Sequence, residues 1–291
     1  MEKKIIAYKG FEKDLTCLGF QYEIGKSYET EERIKCCSKG FHACKDPFNV
    51  FDYYNIFMSR FCEVELSGMF DTDLDTIKIC ASNIRIIREL SLEQMLKIGF
   101  EKLKTNASVK YSEKEGKCLT INESDSKIYS RVNGKRLSSN AYNAIIYSTG
   151  DNCLIFTTGE SSKIYSSGYF SKIHTTEYAS CIFSTGNNTS VFSNGNRSKI
   201  RSSGDNAYIS TKGNNNVIVC EGKNATIIAN GYNTIVKANI GCNITLTEWG
   251  MRNGDYVPIS TKTEIVDGVK IKANTLYKLI DGKFTKTEHL T

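Results

Sequence analysis

Cys36-Cys37-Ser38-Lys39-Gly40-Phe41-His42-Ala43-Cys44, with Cys17 upstream, is the densest run of nucleophilic and metal-ligating side chains in the chain. A structural zinc site needs its ligands to converge at about 2.0–2.3 Å. The run has no C-x-x-C pair, and neighbouring cysteines seldom turn toward one ion, so it reads as a strand carrying a hydrogen-bonded histidine and no metal. A second source of chemistry is Glu63 and Glu65, two carboxylates on the alternating strand Phe61–Leu66. A third is a scatter of acids farther on: Asp125, Asp151, Glu160, Glu177, Asp205 and Glu221. Calcium-binding nonapeptide rolls need a G-G-x-G-x-D corner, and glycoside hydrolysis needs paired carboxylates across a groove. These acids fall mostly at single corners and form neither arrangement. The residues therefore assign no catalytic group and no cofactor.

Those acids sit in a repeat. Gly150, Gly159, Gly168, Gly186, Gly195, Gly204, Gly213, Gly222 and Gly231 keep a nine-residue spacing, with Glu177 in the one slot that lacks glycine. Five positions after each slot stands a branched aliphatic: Ile155, Ile164, Ile173, Ile182, Val191, Ile200, Ile209, Ile218, Ile227 and Val236. Small residues flank it two positions away on either side, as Ser162 and Ser166 flank Ile164. Small–x–Ile–x–small has the period of a strand with one face inward. Gly–x–Asn supplies the corner, glycine bringing positive φ and Asn tolerating it. Two strands and two corners close a flattened coil of eighteen residues, and a three-sided coil of twenty-seven is the alternative. With Leu119, Ile128, Leu137 and Ile146 in phase, the run is about fourteen strands and about seven coils. That makes a rod roughly 34 Å long. Inward Ser and Thr hydroxyls are expected to bond one another in ladders up the stack.

Residues after each central aliphatic face outward, and those eighteen apart share a face. One face reads Tyr129, Tyr147, Tyr165, Phe183, Arg201, Val219 and Lys237, with Lys127, Lys163 and Lys199 beside it. The other reads Ser138, Phe156, His174, Phe192, Ser210 and Ile228. An apolar strip of this kind stabilises the rod by ring stacking, pairs with a second copy, or docks a partner. Lysines beside rings also suit nucleic acid, with bases on the rings and phosphates on the ammonium groups.

Composition sets the frame. The chain has 291 residues, 40% hydrophobic and 24% charged, which suits a folded protein. No run approaches eighteen apolar residues, so no membrane span is expected. The Met1-Glu-Lys-Lys-Ile-Ile-Ala start lacks the apolar core of a signal peptide, and the expected location is the cytoplasm. There the eleven cysteines are expected as free thiols. The net charge of +6 lies on residues 117–246, which hold 13 basic against 7 acidic side chains.

Residues 1–90 are richer in charge and aromatics and read as an α+β head. Strands are expected at Lys4–Tyr8, Phe61–Leu66 and Ile84–Ile87. A helix is expected from Asp46-Pro47 to Tyr54, with Asp46 as N-cap. Ser91 and Gln94 form a capping box that opens a second helix. Residues 91–116 are read as that helix, covering the first coil, plus a linker. After the solenoid of residues 117–246, residues 247–291 are read as a small β cap, with hairpin turns at Asp267-Gly268 and Asp281-Gly282.

Ala7-Tyr8-Lys9-Gly10-Phe11, Leu15-Thr16-Cys17, Gly19-Phe20-Gln21-Tyr22, Gly40-Phe41-His42-Ala43-Cys44 and Tyr53-Tyr54, with Gly241-Cys242 and Glu248-Trp249 near the end, resemble the signature of an uncharacterised bacterial and bacteriophage family. The resemblance implies a head joined to a repeat rod and carries no assigned activity. The order Tyr8-Lys9-Gly10, Gly40-Phe41-His42 and Tyr53 is also similar to ADP-ribosyltransferase-like folds. That similarity implies a ligand pocket formed by Tyr8, Lys9, Gly10, Phe41, His42 and Tyr53. Phe11 stands where those folds have Ser or Thr, and Glu63 and Glu65, the only strand carboxylates that follow, make no clear Q-x-E or E-x-E catalytic motif, so a shared scaffold without the activity is expected. The resulting expectation is a non-enzymatic interaction protein, binding a host or virion protein through rod or head, or pairing with itself. A nucleotide-using head with the rod as targeting arm, and nucleic-acid binding by the basic rod, are the alternatives.

Overall fold

Every nine residues the chain lays down one four-residue strand, alternately on two parallel sheets, from Cys118–Ile121 to Ile235–Ala238. This is a computed structural model, and it describes residues 3–72, 77–103, 110–111 and 118–288. The register is set by identity of environment: Ile128, Ile146, Ile164, Ile182, Ile200, Ile218 and Val236 pair in succession up one sheet. Leu119, Leu137, Ile155, Ile173, Val191, Ile209, Ile227 and Ile244 do so up the other. Partners stand eighteen residues apart, as in Ile164↔Ile182, so the coil is two-sided. Nearly all these aliphatics belong to one core cluster, and burying each side chain stabilises the fold by about 1.5–3 kcal/mol relative to exposure.

The corners differ from expectation in an instructive way. The repeat glycines do not take positive φ. The residue two positions later does: Asn152, Asn188, Asn206, Asn215, Asn224 and Asn233, and also Ser161, Phe170, Ala179 and Arg197, at φ of 51–57° for all but Ala179 at 58°. Glycine is required for closeness instead. A Cβ on Gly168 would lie 1.9 Å from the carbonyl oxygen of Gly150, and one on Gly204 2.0 Å from that of Gly186. Each corner rests on the backbone of the corner one coil earlier. The residue after the slot adds a staple between coils: Asp151 Oδ1 accepts from Tyr169 N at 2.8 Å, Asn196 Oδ1 from Asn214 N at 2.7 Å, and Asp205 Oδ1 from Lys223 N at 2.7 Å.

The interior hydroxyls also depart from expectation. Ser162, Thr189 and Ser198 donate to the carbonyl three residues back, at 2.8, 2.7 and 3.1 Å, and close their own corners. On the other side of each aliphatic, the Ser148, Ser166, Ser184, Ser202, Thr157 and Thr211 hydroxyls have no hydrogen-bond partner among the described residues. Thr175 to Ser193, at 3.1 Å, is a pair that does form. Strands in register repeat every ~4.8 Å, whereas O–H···O bonds close at ~2.7–2.8 Å. Identical rotamers stacked in register therefore hold hydroxyls too far apart to bond.

Chain continuation finishes both sheets. The strand Asn243–Arg252 extends the second sheet and turns back as Asp255–Ile265, antiparallel to it. Leu276–Ile280 lies antiparallel on Ile235–Ala238 and pairs in turn with Lys283–Lys286. Antiparallel strands thus end both parallel ladders. The Asp281-Gly282 hairpin is present. Asp267-Gly268 is not a hairpin: the Asp267 carboxylate accepts the N–H groups of Val269, Lys270 and Ile271 at 2.8, 2.9 and 3.0 Å, which makes a side-chain-held loop. A second two-residue hairpin falls at Asn253-Gly254, both at positive φ (54° and 89°), the backbone that Asn-Gly favours.

The solenoid and its end strands lie in one unit, Asn106–Thr291, and the head forms another, Met1–Thr105. The head sheet runs in the order Ser27–Glu29, Lys78–Leu90, Phe41–Cys44, Ile5–Phe11, Arg60–Thr72, and Arg60–Thr72 pairs again with Lys78–Leu90, closing the sheet on itself. Inside lie Ala7, Phe11, Val64, Leu66, Ile84 and Ile86. The Asp46 cap forms, Oδ1 accepting from Phe48 N at 2.9 Å, but the α-helix it opens is only Pro47–Val50 and gives way to turns before Tyr54. The capping box at Ser91 is reciprocal: Ser91 N donates to Gln94 Oε1 at 2.8 Å and Gln94 N to Ser91 Oγ at 3.2 Å. Its helix, Leu92–Leu103, packs within the head, with Phe100 edge-on to Phe48 at 5.5 Å and Gly99 against the Phe48 ring. Most of the expected linker, 104–109 and 112–117, lies outside the described residues. No described helix is long and apolar enough to cross a membrane.

Candidate functional site

Two places gather the side chains that the sequence marks for recognition. The first is the outside of the solenoid. On the first sheet, Tyr147 stacks on Tyr165 at 5.2 Å and Tyr165 on Phe183 at 5.0 Å, both near-parallel. This ladder is not the exposed strip that strand alternation predicts: Tyr129, Tyr147, Tyr165 and Phe183 are only 1–3% exposed. Lys127 and Lys163 beside it are half-buried and Lys199 is exposed. Arg201 closes on Glu221 through Nη2 at 2.6 Å, with both side chains partly shielded. Alternation within a strand fixes the side from which a side chain leaves its sheet, and does not fix how much solvent reaches it.

The second sheet keeps its outer face open. Phe156 meets His174 edge-on at 5.3 Å, His174 lies 6.2 Å from Phe192, and Phe192 lies 5.7 Å from Tyr208, which stands one coil along in the neighbouring outward row. Phe192 and Tyr208 are 37% and 36% exposed, and Leu154 is exposed beside Phe156. Arg136 and Lys172 stand exposed in the same outward rows, and no acidic residue occupies an outward position on these strands from Cys118 to Ala229. Tyr142, Tyr169, Phe170 and Tyr178 are exposed at the corners.

The other place is a cavity of about 450 Å³ in the head, lined by Tyr8, Lys9, His42, Tyr53, Tyr54 and Lys78 among others. Four of the six residues that the sequence nominates, Tyr8, Lys9, His42 and Tyr53, line it. Gly10 acts from behind: a Cβ there would lie 2.3 Å from Tyr54 Cγ, so glycine lets the Tyr54 ring lie against the strand. Phe41 is drawn away, packing toward the core near Tyr22 at 6.5 Å. Glu63 and Glu65 do not line the cavity; they pair with Arg88 at 2.6 Å and Lys4 at 2.9 Å.

At the cavity's base Lys9 is 5% exposed. Its Nζ donates to the His42 carbonyl at 3.1 Å and to the Tyr54 hydroxyl at 3.3 Å. Burial holds the Lys9 amine below the usual lysine range. The Tyr54 hydroxyl stands 3.6 Å from Cys17 Sγ, and burial, then this thiol, pushes the phenol well above its ordinary value. His42 Nε2 accepts from Cys37 N at 2.8 Å, so the ring proton sits on Nδ1. Burial, then the ammonium groups of Lys9 and Lys78, keeps His42 below the usual histidine range and neutral at pH 7. Lys78 Nζ sits 3.7 Å above the Tyr53 ring. Burial pushes the Cys44 thiol up to about 12. Sequence reasoning missed Lys78 as a lining residue, because nothing in its own neighbourhood brings the start of a distant strand to this wall.

The cysteine-rich run makes no metal centre among the described residues. Cys36 and Cys37 hold their sulfurs 4.0 Å apart, Cys80 Sγ donates to the Lys39 carbonyl at 3.0 Å, and all eleven cysteines are unbridged. Residues 5–98 match the model of a family described as a domain of unknown function, DUF7666. The match spans the head strands and the first half of the Leu92–Leu103 helix. No curated protein and no solved structure matches the chain.

Proposed function

We propose that this is a non-enzymatic interaction protein whose solenoid docks a protein partner on the open face of its second sheet. The observation that carries the reading is the outward-facing group Leu154, Phe156, His174, Phe192 and Tyr208, exposed at Leu154, Phe192 and Tyr208 and half-buried at Phe156 and His174, with Arg136 at one end, Lys172 in its middle and no acidic neighbour on the strands. Aromatic side chains interleaved with cations suit a partner that offers apolar groups and carboxylates side by side. Self-pairing through this face sets like charges against one another, which disfavours a second copy. Size adds a constraint. Seven strands spaced ~4.8 Å apart, each four residues long, present about 450 Å², short of the roughly 800 Å² per partner of a stable interface. The partner therefore also reaches the corner tyrosines Tyr142 and Tyr178, or Tyr169 and Phe170. The resemblance of the head motifs to a bacterial and bacteriophage family suggests a host protein, such as a defence effector, or a virion component, met in the bacterial cytoplasm.

The test is comparative. A partner recovered on the intact chain is purified, and its affinity is measured for wild type and for the folded double variant Phe156→Asp/Phe192→Asp, at two salt concentrations. Loss of at least tenfold in affinity, and weaker binding at high salt, supports the reading. Unchanged affinity, or a wild-type dimer that the double variant converts to monomer, refutes it.

A further inference from the structure

The head cavity presents an imbalance of charge. Lys9 and Lys78 both face it, and neither has a carboxylate partner among the described residues: Lys9 is held by a carbonyl and a hydroxyl, and Lys78 by the face of Tyr53. Glu12 is the one acid in the lining, and His42 is neutral. With both lysines counted as ammonium groups, the lining carries a net charge of about +1. A buried ammonium without a counter-ion is costly, and here it lies at the base of a cavity whose size falls within the range of small-molecule sites. An anion entering the cavity would relieve that cost.

The remaining walls narrow the ligand. Tyr8, Tyr53 and Tyr54 supply aromatic surface, and Tyr53 is 41% exposed with its ring available beside Lys78. The lining holds no arginine. Two lysines set against one glutamate match a single negative charge better than a phosphate dianion, which draws on several donors at once. We propose that the head cavity is a binding site for a small aromatic carboxylate, its carboxylate between Lys9 and Lys78 and its ring against the tyrosines. Gly10 is part of this design, since only glycine leaves room for the Tyr54 ring that brings its hydroxyl to Lys9.

The site is tested by calorimetric titration of the full chain with benzoate, 4-hydroxybenzoate and indole-3-acetate. Benzamide serves as the uncharged control, and inorganic phosphate and AMP as dianion arms. The expected result is saturable binding of at least one carboxylate, at least tenfold weaker binding of benzamide, and at least a tenfold loss in Lys78→Ala. Lys78 lies at the start of a strand and Lys9 is buried, so Lys78→Ala is the primary variant, its fold checked by thermal melting, and Lys9→Met the second. Absence of saturable carboxylate binding, equal affinity for benzamide, tighter binding of phosphate or AMP, or unchanged affinity in folded Lys78→Ala each overturns the proposal.

Discussion

At the level of single residues, the corner of the repeat separates two requirements that the sequence runs together. Glycine and asparagine both signal positive φ, and the structure assigns that backbone to the asparagine slot alone, while glycine serves close approach. The two substitutions should therefore differ in cost. Asn206→Ala keeps a left-handed residue at φ 55°, as Ala179 does at 58°, and is expected to cost about 1–2 kcal/mol. Gly204→Ala puts a Cβ 2.0 Å from a backbone oxygen that cannot move without shifting a coil, and overpacking of this kind costs about 1–3 kcal/mol or more. Denaturant unfolding of both variants should rank Gly204→Ala as the more damaging; the reverse order would return positive φ to the glycine. The interior hydroxyls give an opposite kind of prediction. Ser184 Oγ is buried and unpaired among the described residues, so Ser184→Ala removes an unmet polar group, which is worth about 1 kcal/mol or more. Its melting temperature is expected to equal or exceed that of wild type, and a clear fall would mean the hydroxyl has a partner.

Whole elements are where the caps act. Ser91 and Gln94 satisfy each other's backbone donors at the start of Leu92–Leu103. Ser91→Ala is expected to cost about 1 kcal/mol, read in the unfolding of the head. At the far end, the Glu248 carboxylate accepts from Asp281 N at 2.7 Å, Gly282 N at 2.8 Å and Ser260 Oγ at 3.0 Å, pinning the last hairpin to the end of the solenoid strand. The Gly282 N–H, offset in part by burial and helped by the Asp281 N–H and the Ser260 hydroxyl, holds Glu248 below the usual carboxylate range. A depressed pKa in the folded state means this stabilisation is present above the unfolded value of about 4.3 and is lost as pH falls through the lower folded value. Amide exchange at Asp281 and Gly282, corrected for intrinsic rates, should accelerate as pH drops through that window. Glu248→Gln should remove the pH dependence; persistence of it in the variant would place the pin elsewhere.

For the molecule as a whole, the solenoid was legible because each of its features recurs: Ile164, Ile182 and Ile200 fall into one stack once a two-sided coil is assumed, and they do stack. The head cavity was legible in part, since Tyr8, Lys9, His42 and Tyr53 lie on segments whose order carries a resemblance. Lys78 and the role of Gly10 depend on contacts between segments remote in sequence, which no local pattern encodes. The same limit explains the first aromatic ladder: alternation places Tyr147 and Tyr165 outside their strand, but their burial is a property of tertiary packing. The account's central claim is the eighteen-residue, two-sided coil, and it is tested by excision. Removing residues 199–216 joins Ser198 to Val217, the residue that pairs with Lys199 one coil up, and a solenoid tolerates loss of a whole repeat. Removing only 199–207 joins Ser198 to Tyr208 and sends every later strand to the opposite sheet. Circular dichroism and unfolding of both deletions should show a cooperative β-fold for the longer excision and its loss for the shorter one. Equal folding of the two, or collapse of the longer excision alone, would contradict the two-sided coil.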